Sequence, residues 1–487
     1  MIRAEWVKFR SVRGWVVAVL VAAAAIVGFG LAGGNQGSCY GNSCAQTLGP
    51  GGEPVSDNFY FVHQSLTGNG SITTRVTSLT SAVTSPSGSQ RVVVPWAKGG
   101  IILKDGLGQG SAYAAIMVTG THGVRMQDDF TGDIAGPSLR AAWLRLVRAG
   151  PVITGYASAD GVRWTRVGAV TLPGLPATVQ GGLFATSPQY TQTSMGVASI
   201  SGSPSQSTAV FGDVTLTWAG GMWTGTNVGG ATPGGGGADG PAVGYSRAGG
   251  TVTITGSGDI APTTDGPSGL GVTLAQTLAG AFVALIILAV VGAMFITAEY
   301  RRGLIRVTLA ACPRRGRVLA AKAAVMGLVG FAGALAGVAI AVPLGQRVLR
   351  SHGVYLPPVT ALTETRVIVG TAAALAVCAV LALGIGTLLR RGAAAVAAVV
   401  ALIAAPYVLS VSIPVLPLNL ADWLMRVTPA AAFAVEQTVV QYPQVDDVYA
   451  PAYGYFPLAP WAGFLVLCGW AAVFLALAYV ALNRRDA

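Results

Sequence analysis

The sequence predicts an α-helical polytopic membrane protein with six transmembrane helices and an extracellular antiparallel β-sandwich, jelly-roll-like, inserted between the first two helices. Of the 487 residues, 52% are hydrophobic and only 10% are charged, a balance typical of membrane proteins. Six apolar runs are long enough to cross the bilayer hydrocarbon, which takes about 20 helical residues. The long stretch between the first two runs is instead rich in Gly, Ser, Thr and Val.

Residues 1–13 form a basic N-terminal segment in which Ile2, Trp6 and Phe9 share one helical face. Such a face is typical of an amphipathic helix lying among lipid headgroups, although a simple orienting cluster of positive charge explains the same residues. Residues 14–33 are predicted to be the first transmembrane helix. A cleaved signal peptide is the alternative. The apolar run is longer than a usual signal core and no clean Ala-x-Ala site follows it, so we favour a retained span.

Residues 34–218 are predicted to form the β-sandwich. No apolar run in this stretch can span a membrane, and short alternating segments are separated by turns. In one of them Val214, Leu216 and Trp218 point to one side and the threonines between them to the other. Residues 219–271 begin with a glycine-rich stretch and contain one short β-like segment, so we expect a flexible linker there.

The run W-L-R-L-V-R-A-G-P-V-I-T-G-Y-A-S-A-D-G-V-R-W-T, which begins at Trp143, resembles concanavalin A-like and laminin G-like domains of bacterial surface proteins. Within it, Ser158, Asp160, Gly161 and Trp164 nearly match an Asp-box hairpin, with the glycine and the tryptophan one position early. The resemblance implies cell-surface carbohydrate as a partner. A tight Asp-Gly hairpin with a packed tryptophan is the stronger explanation of the same residues.

Residues 297–322 carry the densest positive charge, seven cations against the single anion Glu299. The positive-inside rule keeps such a loop in the cytoplasm. By this rule, the segments assigned to the cytoplasm hold 15 of the 30 cations but only 3 of the 19 acidic residues. We therefore predict that both termini are cytoplasmic and that residues 34–271 are extracellular. Charge confined to short loops beside the spans also attracts anionic lipid headgroups, and no nucleic-acid partner is expected.

The same basic loop is predicted to contain a short helix from Tyr300 to Ala311. Leu304, Val307 and Ala311 recur at helical spacing and give it one apolar face. Pro313 should end the helix, because proline lacks an amide hydrogen and disfavours a helical residue before it. We expect Glu299 to hold the membrane-proximal end of this helix, where the helix dipole favours an acid and where Glu299 can also pair with Arg302 or Arg306.

The pattern E-Y-R-x-G-x-x-R-x-T-L, followed by P-x-R-x-R and a lysine at the start of the next span, resembles ABC-2 type transporter permeases. The likeness covers residues 1–31 and 274–487. In that family the loop between the second and third spans carries a coupling helix that docks onto a cytoplasmic ATPase. A positive anchor that only fixes topology is the competing explanation. The resemblance assigns the coupling role to Glu299, Tyr300, Arg301, Arg302, Gly303, Arg306, Pro313 and Arg315.

Residues 272–487 are predicted to be the permease core. The loop after its fourth span, with Asp422, Trp423 and Leu424, looks like the short extracellular re-entrant helices of family members. Pro406 should bend the span before that loop. The predicted spans contain no Asp, Glu, His, Lys or Arg, which argues against an ion-coupled carrier. The five spans are predicted at 274–296, 323–344, 367–389, 393–415 and 461–482.

The resemblance implies a multi-pass permease of the bacterial plasma membrane, an exporter by family habit, which pairs with a second permease and with separate ATPase subunits. ATP hydrolysis is not expected in this chain, because none of its four lysines follows a glycine as a Walker A loop requires. No cofactor or metal is expected, since the three histidines lack ligand spacing. The alternative is a lectin-like surface-binding protein that the membrane part merely anchors, and the five spans beyond the first count against it.

Five cysteines divide into two groups. Cys39 and Cys44 lie just outside the first predicted span, where an oxidising compartment permits a disulfide, and we expect them to be joined rather than to be two free thiols. Cys312, Cys378 and Cys468 fall in or beside spans and are expected to be small apolar fillers.

Overall fold

The computed structural model describes residues 1–34, 46–85, 88–194, 199–218, 221–229, 243–264, 274–312, 314–411 and 417–485. Within these residues six helices are long and apolar enough to cross a membrane, and a large β-rich region lies between the first and the second of them. The predicted combination of six transmembrane helices and an inserted β-sandwich is thereby confirmed. The six spans are Arg13–Ala32, Ala279–Arg301, Arg315–Ser351, Ala361–Leu389, Gly392–Val411 and Pro460–Arg484.

Ten α-helices are described. Several of the membrane helices extend beyond the bounds predicted from the sequence and include charged residues at their ends. Short 3-10 segments at Leu274–Leu278, Pro429–Glu436 and Pro451–Tyr453 and a π-helical turn at Val400–Ala404 complete the helical part. The helices are α1 (Ile2–Ser11), α2 (Arg13–Gly34), α3 (Ala279–Arg301), α4 (Leu304–Ala311), α5 (Arg315–Ser351), α6 (Ala361–Leu389), α7 (Gly392–Val399), α8 (Ala405–Val411), α9 (Leu418–Val427) and α10 (Pro460–Arg485).

Nineteen strands are described between α2 and α3. They are β1 (Val55–Asp57), β2 (Phe59–Thr67), β3 (Gly70–Ser85), β4 (Gly88–Arg91), β5 (Lys98–Lys104), β6 (Tyr113–Thr119), β7 (Val124–Asp128), β8 (Gly132–Ala135), β9 (Ala142–Ala149), β10 (Val152–Ser158), β11 (Thr165–Thr171), β12 (Thr178–Thr186), β13 (Tyr190–Ser194), β14 (Ser199–Ser203), β15 (Ser205–Leu216), β16 (Thr224–Val228), β17 (Gly244–Ala248), β18 (Thr251–Gly256) and β19 (Ile260–Pro262).

Two antiparallel sheets make the sandwich. One has the order β11-β10-β9-β3-β15-β18-β17 with β4 added to β3, and the other has the order β16-β2-β12-β5-β6-β7-β8. Apolar side chains from both sheets meet in one core. Strands β5 and β6 are buried along their whole length. This is because a second apolar cluster, which includes Phe59, Phe61 and Phe184, covers the other face of the seven-stranded sheet.

The sandwich extends beyond residue 218, where the sequence predicted a linker. Strand β16 pairs with β2, and β18 pairs with β15, so both belong to the sheets. The physical reason is burial: Val252 and Ile254 of β18 are in the sandwich core. The glycine run 234–237 itself lies outside the described residues.

The hairpin between β10 and β11 is held by its own polar groups. The Asp160 carboxylate accepts hydrogen bonds from the backbone N–H groups of Val162 (2.9 Å) and Arg163 (2.8 Å), and these bonds hold its pKa well below its usual range. The Ser158 hydroxyl oxygen accepts from the N–H of Gly161 at 2.9 Å. These bonds close a tight turn without any ligand, as the structural explanation of this motif expects.

The membrane helices pack around α3 and α6, whose buried residues form the centre of one large apolar core. Gly292 of α3 allows this contact, because a Cβ there would collide with the backbone of Ala379 in α6. The fifth span was predicted to bend at Pro406. It contains the π-helical turn Val400–Ala404 immediately before that proline, which rearranges the hydrogen bonds where proline supplies no N–H.

The sandwich rests on the loops of the membrane helices. The side-chain amide of Gln444 donates to the backbone oxygens of Phe130 and Thr131, each at 3.2 Å. The Tyr355 hydroxyl donates to the backbone oxygen of Gly52 at 3.3 Å. The inserted domain is therefore bonded to the loops before α6 and before α10.

Candidate functional site

The basic loop predicted at residues 297–322 is built as a sharp helix-to-helix turn. Gly303 has a φ of 69°, a left-handed conformation that glycine adopts without strain, and it separates α3 from α4. The predicted helix start at Tyr300 is therefore wrong: Glu299 and Tyr300 form the last turn of α3, and α4 begins at Leu304. Helix α4 ends at Ala311, and Pro313 lies outside the described residues.

Helix α4 leaves most of its surface uncovered. Ile305 is its buried residue, whereas Leu304 is 48% exposed and Val307 is 68% exposed. The apolar face predicted from the sequence thus points away from the bundle. Arg302 and Arg306 are exposed beside it. The result is a small surface that combines aliphatic groups with positive charge.

Behind α4 lies a network of four charges, which we call the charge network: the buried Glu5, Glu299 and Lys322 and the partly exposed Lys8. Lys322 is fully buried, and its Nζ lies 2.6 Å from Glu299 Oε1 and 2.7 Å from Glu5 Oε2. Lys8 Nζ lies 3.0 Å from Glu5 Oε1 and 3.2 Å from Glu299 Oε1. Two cations and two anions alternate, so the network is neutral as a whole, which limits the cost of burying them.

The charge network joins four helices. Glu5 and Lys8 belong to α1, Glu299 to α3 and Lys322 to α5. Lys8 also donates to the Thr308 hydroxyl of α4 at 3.3 Å. A displacement of α4 therefore meets directly bonded groups on α1 and, through Glu299 and Lys322, on α3 and α5.

The sequence pointed to Glu299 but missed its partners. An arginine of the helix was expected, and the two lysines of the charge network take that place because Glu299 faces the bundle from α3. Two signals could have found other members of the charge network: Glu5 is the single acid in a basic segment, and Lys322 opens a long apolar run.

Aromatic and cationic contacts fix the neighbouring helix ends. Arg315 Nη1 donates to the backbone oxygens of Leu482 (2.6 Å) and Asn483 (3.1 Å), where a cation complements the C-terminal end of α10. The Arg390 guanidinium at the end of α6 lies 5.1 Å from the ring centroid of Tyr300. The predicted coupling residues Tyr300 and Arg315 thus tie the loop to the last turns of two further spans.

Helix α1 meets the bundle through only part of its predicted face. Phe9 is buried, with its ring 5.8 Å from that of Phe295 of α3. Ile2 and Trp6 are 55% and 47% exposed. The residues of the predicted common face therefore have different surroundings. Phe9 lies with Glu5 on the side of α1 that packs against the protein, where Glu5 bonds to Lys322. Ile2 and Trp6 are exposed on the other side.

Other predicted sites are separate from this region. Cys378 is buried and Cys312 and Cys468 are partly buried as free thiols. Cys39 and Cys44 lie outside the described residues, so the predicted disulfide remains a prediction. In the described part of the chain, no group of three or more His, Cys, Asp or Glu side chains is arranged to hold a metal ion.

Six helices that are long and apolar enough to span a membrane, with a short exposed helix at one end of the bundle, define a polytopic membrane protein. The family model described as "ABC-2 family transporter protein" matches residues 7–487. The chain therefore belongs to the ABC-2 family of transporter proteins. Membership in this family indicates a membrane component, the permease, and not the subunit that hydrolyses ATP.

Comparison with curated proteins found no match. Among solved structures, a functionally unknown protein from Saccharomyces cerevisiae shows 16% identity over 34% of this chain and 76% of its own, with a TM-score of 0.22. SCP-B, a member of the eqolisin family of peptidases, shows 9% identity over 41% and 98%, with a TM-score of 0.25. A mutant of the GH43 protein BlXynB from Bacillus licheniformis shows 15% identity over 24% of each chain, with a TM-score of 0.18. Likenesses at these TM-scores support no conclusion about this chain.

Proposed function

We propose that this chain is the permease subunit of an ABC transporter and that a cytoplasmic ATPase subunit docks on α4. The observation that carries the proposal is the bond from Thr308 of the exposed helix α4 to Lys8, through which α4 meets a charge network that joins α1, α3 and α5. Leu304 and Val307 offer an aliphatic contact, and Arg302 and Arg306 offer positive charge around it. Such a surface fits a partner with an apolar socket and an acidic rim.

Movement of the ATPase would pass from α4 into the membrane helices through the charge network. Thr308 bonds to Lys8, and Lys8 bonds to Glu299 at the end of α3. Glu299 in turn bonds to the fully buried Lys322 of α5. Because these side chains are bonded in series, a shift of α4 would act on the ends of α1, α3 and α5 together.

The proposed setting is a bacterial plasma membrane, with both termini in the cytoplasm and residues 34–271 outside. Two copies of the permease, or two different permeases, would act with two ATPase subunits, and the direction would be export. Exposed Ile2 and Trp6 on basic α1 would lie among lipid headgroups. The proposal assigns no carbohydrate to the hairpin at Asp160, since its carboxylate is already used by the turn.

Two substitutions test the coupling role. Glu299→Gln keeps the shape of the side chain and leaves the loop strongly cationic, so membrane insertion should be unchanged. The reversal of residues 304–309 keeps the composition of α4 and a leucine at each end of the segment, but it moves the side chains of Ile305 and Val307 to positions 308 and 306 and places an arginine at the exposed position 307. Both variants should reach the membrane normally and lose most of the ATP hydrolysis that depends on the assembled complex.

The matched control is Asp213→Asn, which likewise removes one carboxylate charge but on the exposed surface of β15, and ATP hydrolysis by the complex should then equal that of the wild type. Wild-type hydrolysis in both Glu299→Gln and the reversed variant would reduce the loop to a topology anchor.

A further inference from the structure

A cavity of about 420 Å³ lies between the sandwich and the outer ends of the membrane helices. It includes residues from the end of α5, whereas the charge network includes Lys322 near the start of that helix. The segment before β1 contributes Glu53, and the end of α5 contributes Gln346 and Arg350. The start of α6 contributes Glu364, and the segment before α10 contributes Tyr442. Its walls thus come from both parts of the molecule, a place where ligand sites are common.

Two carboxylates face this cavity without a cationic partner. Glu53 and Glu364 are both half-buried, and neither forms an ion pair with any residue that the structure describes. Glu364 accepts one hydrogen bond, from the side-chain amide of Gln346 at 3.3 Å. Arg350 stands exposed at the same cavity. With one cation and two anions, the lining has a net charge of −1.

In the sandwich, three carboxylates that are at most 14% exposed are each paired with a cation: Asp57, Asp133 and Asp259. Asp57 lies 2.7 Å from the Lys104 Nζ, and Asp259 lies 2.7 Å from the Lys98 Nζ. Taking a carboxylate out of water is costly unless a cation or several hydrogen bonds compensate. The two carboxylates that face the cavity are only half-buried and can be hydrated, so a ligand that displaces their water would bind best if it brings a positive charge.

The remaining walls suit an apolar body with a charged end. Tyr442 lies close enough to Glu53 that the charge of this carboxylate, after burial, raises the pKa of the tyrosine. The ring of Tyr455 lines the same cavity, and Pro357, Pro358 and Val359 line it from the loop before α6. Aromatic rings beside carboxylates are favourable surroundings for ammonium groups.

We propose that this cavity binds a small organic cation, an amine or quaternary ammonium with an apolar body, on the outer side of the membrane helices. One monovalent cation would neutralise the lining. Because the walls come from the sandwich and from the helix ends, bound ligand would hold the two together. This site is independent of the proposed ATPase docking.

Three probes of equal body and different charge test the proposal on the purified full chain in lipid nanodiscs, without an ATPase. They are cyclohexylamine, which is cationic at pH 7, neutral cyclohexanol and anionic cyclohexanecarboxylate. Cyclohexylamine should raise the midpoint of thermal unfolding in a saturable manner. The other two should not, and neither should Ca²⁺ at the same ionic strength.

Variants that change the charge of the lining should change the affinity for cyclohexylamine in opposite directions. Glu53→Gln and Glu364→Gln should each weaken cyclohexylamine binding by at least about fivefold, the effect of one charge at about 4 Å in a well-solvated site. Arg350→Gln should strengthen binding, and this exposed residue can be changed even if an acidic variant does not fold. Asp213→Asn, on the exposed surface of β15, should leave it unchanged.

Three results would overturn the proposal. The first is no saturable shift with cyclohexylamine, and the second is an equal shift with cyclohexanol. The third is preferential binding of the carboxylate together with its loss in Arg350→Gln, which would make the site an anion site. Since no ATPase is present, none of these results bears on coupling through α4.

Discussion

Removal of the Lys322 ammonium is the sharpest perturbation of the charge network. In Lys322→Met a side chain of similar length keeps the apolar contacts, including the ring of Phe295 that now lies 4.6 Å from Nζ. Glu5 Oε2 loses its partner, and Glu299 Oε1 keeps only Lys8. The Glu5 side chain is 1% exposed and that of Glu299 is 10% exposed, so water cannot replace the ammonium.

The expected loss in the free energy of unfolding is about 3–5 kcal/mol, the range found when one member of a buried ion pair is removed. Lys8→Met is the matched control. Its side chain is 40% exposed, so its loss should be about 1 kcal/mol or less. Reversible unfolding in mixed micelles, followed by tryptophan fluorescence, measures both.

A second substitution separates stability from coupling. Lys322→Met combined with Glu5→Gln leaves one anion and one cation in the network, so most of the lost stability should return. Coupled ATP hydrolysis should stay low, because the link from α3 to α5 is still missing. Equal losses for Lys322→Met and Lys8→Met, or no recovery in the double variant, would refute the buried network.

Three further predictions concern the outer domain. Lys104→Met should lower the free energy of unfolding of the sandwich by about 3–5 kcal/mol, because it leaves the fully buried Asp57 without a cation. Adding Asp57→Asn should restore much of this loss. Thermal unfolding of the full chain measures both variants, and an unchanged midpoint in the single variant would contradict the pairing. A single cysteine at exposed Ser89, in a chain without its native cysteines, should react with an impermeant thiol reagent on intact cells. Labelling only after the cells are lysed would mean that this domain is inside the cell and that the proposed topology is inverted. Cys39 and Cys44 should appear in an unreduced digest as one peptide two hydrogens lighter than its reduced form, whereas full alkylation without reductant would show two free thiols.

The sequence was sufficient for the architecture because its signals are local. A transmembrane helix needs only a long apolar run, and a strand needs only alternation between turns. The extent of the sandwich was harder. Strand β18 is short and follows a glycine-rich stretch, and its membership depends on pairing with β15, which is distant in sequence.

The candidate site was predicted in part for the same reason. The motif around Glu299 marks the loop, but α4 begins only after Gly303. The positive φ of this one glycine separates α3 from α4, and the spacing of apolar residues does not reveal such a break. The partners Lys8 and Lys322 come from other helices, so only tertiary packing brings them to Glu299. Glu436 is a similar case: it lies outside all predicted spans, yet it is buried beside Thr371 of α6.

The docking of an ATPase on α4 is tested most directly by a photo-cross-linking residue at Val307, which is 68% exposed. The matched control is the same residue at Val162, which is 79% exposed on the sandwich. After irradiation of intact membranes, mass spectrometry should find an ATP-binding subunit joined to the chain at residue 307 and not at residue 162. Absence of an ATP-binding protein from the adducts at residue 307, in membranes where the chain is folded and abundant, would contradict the proposed docking.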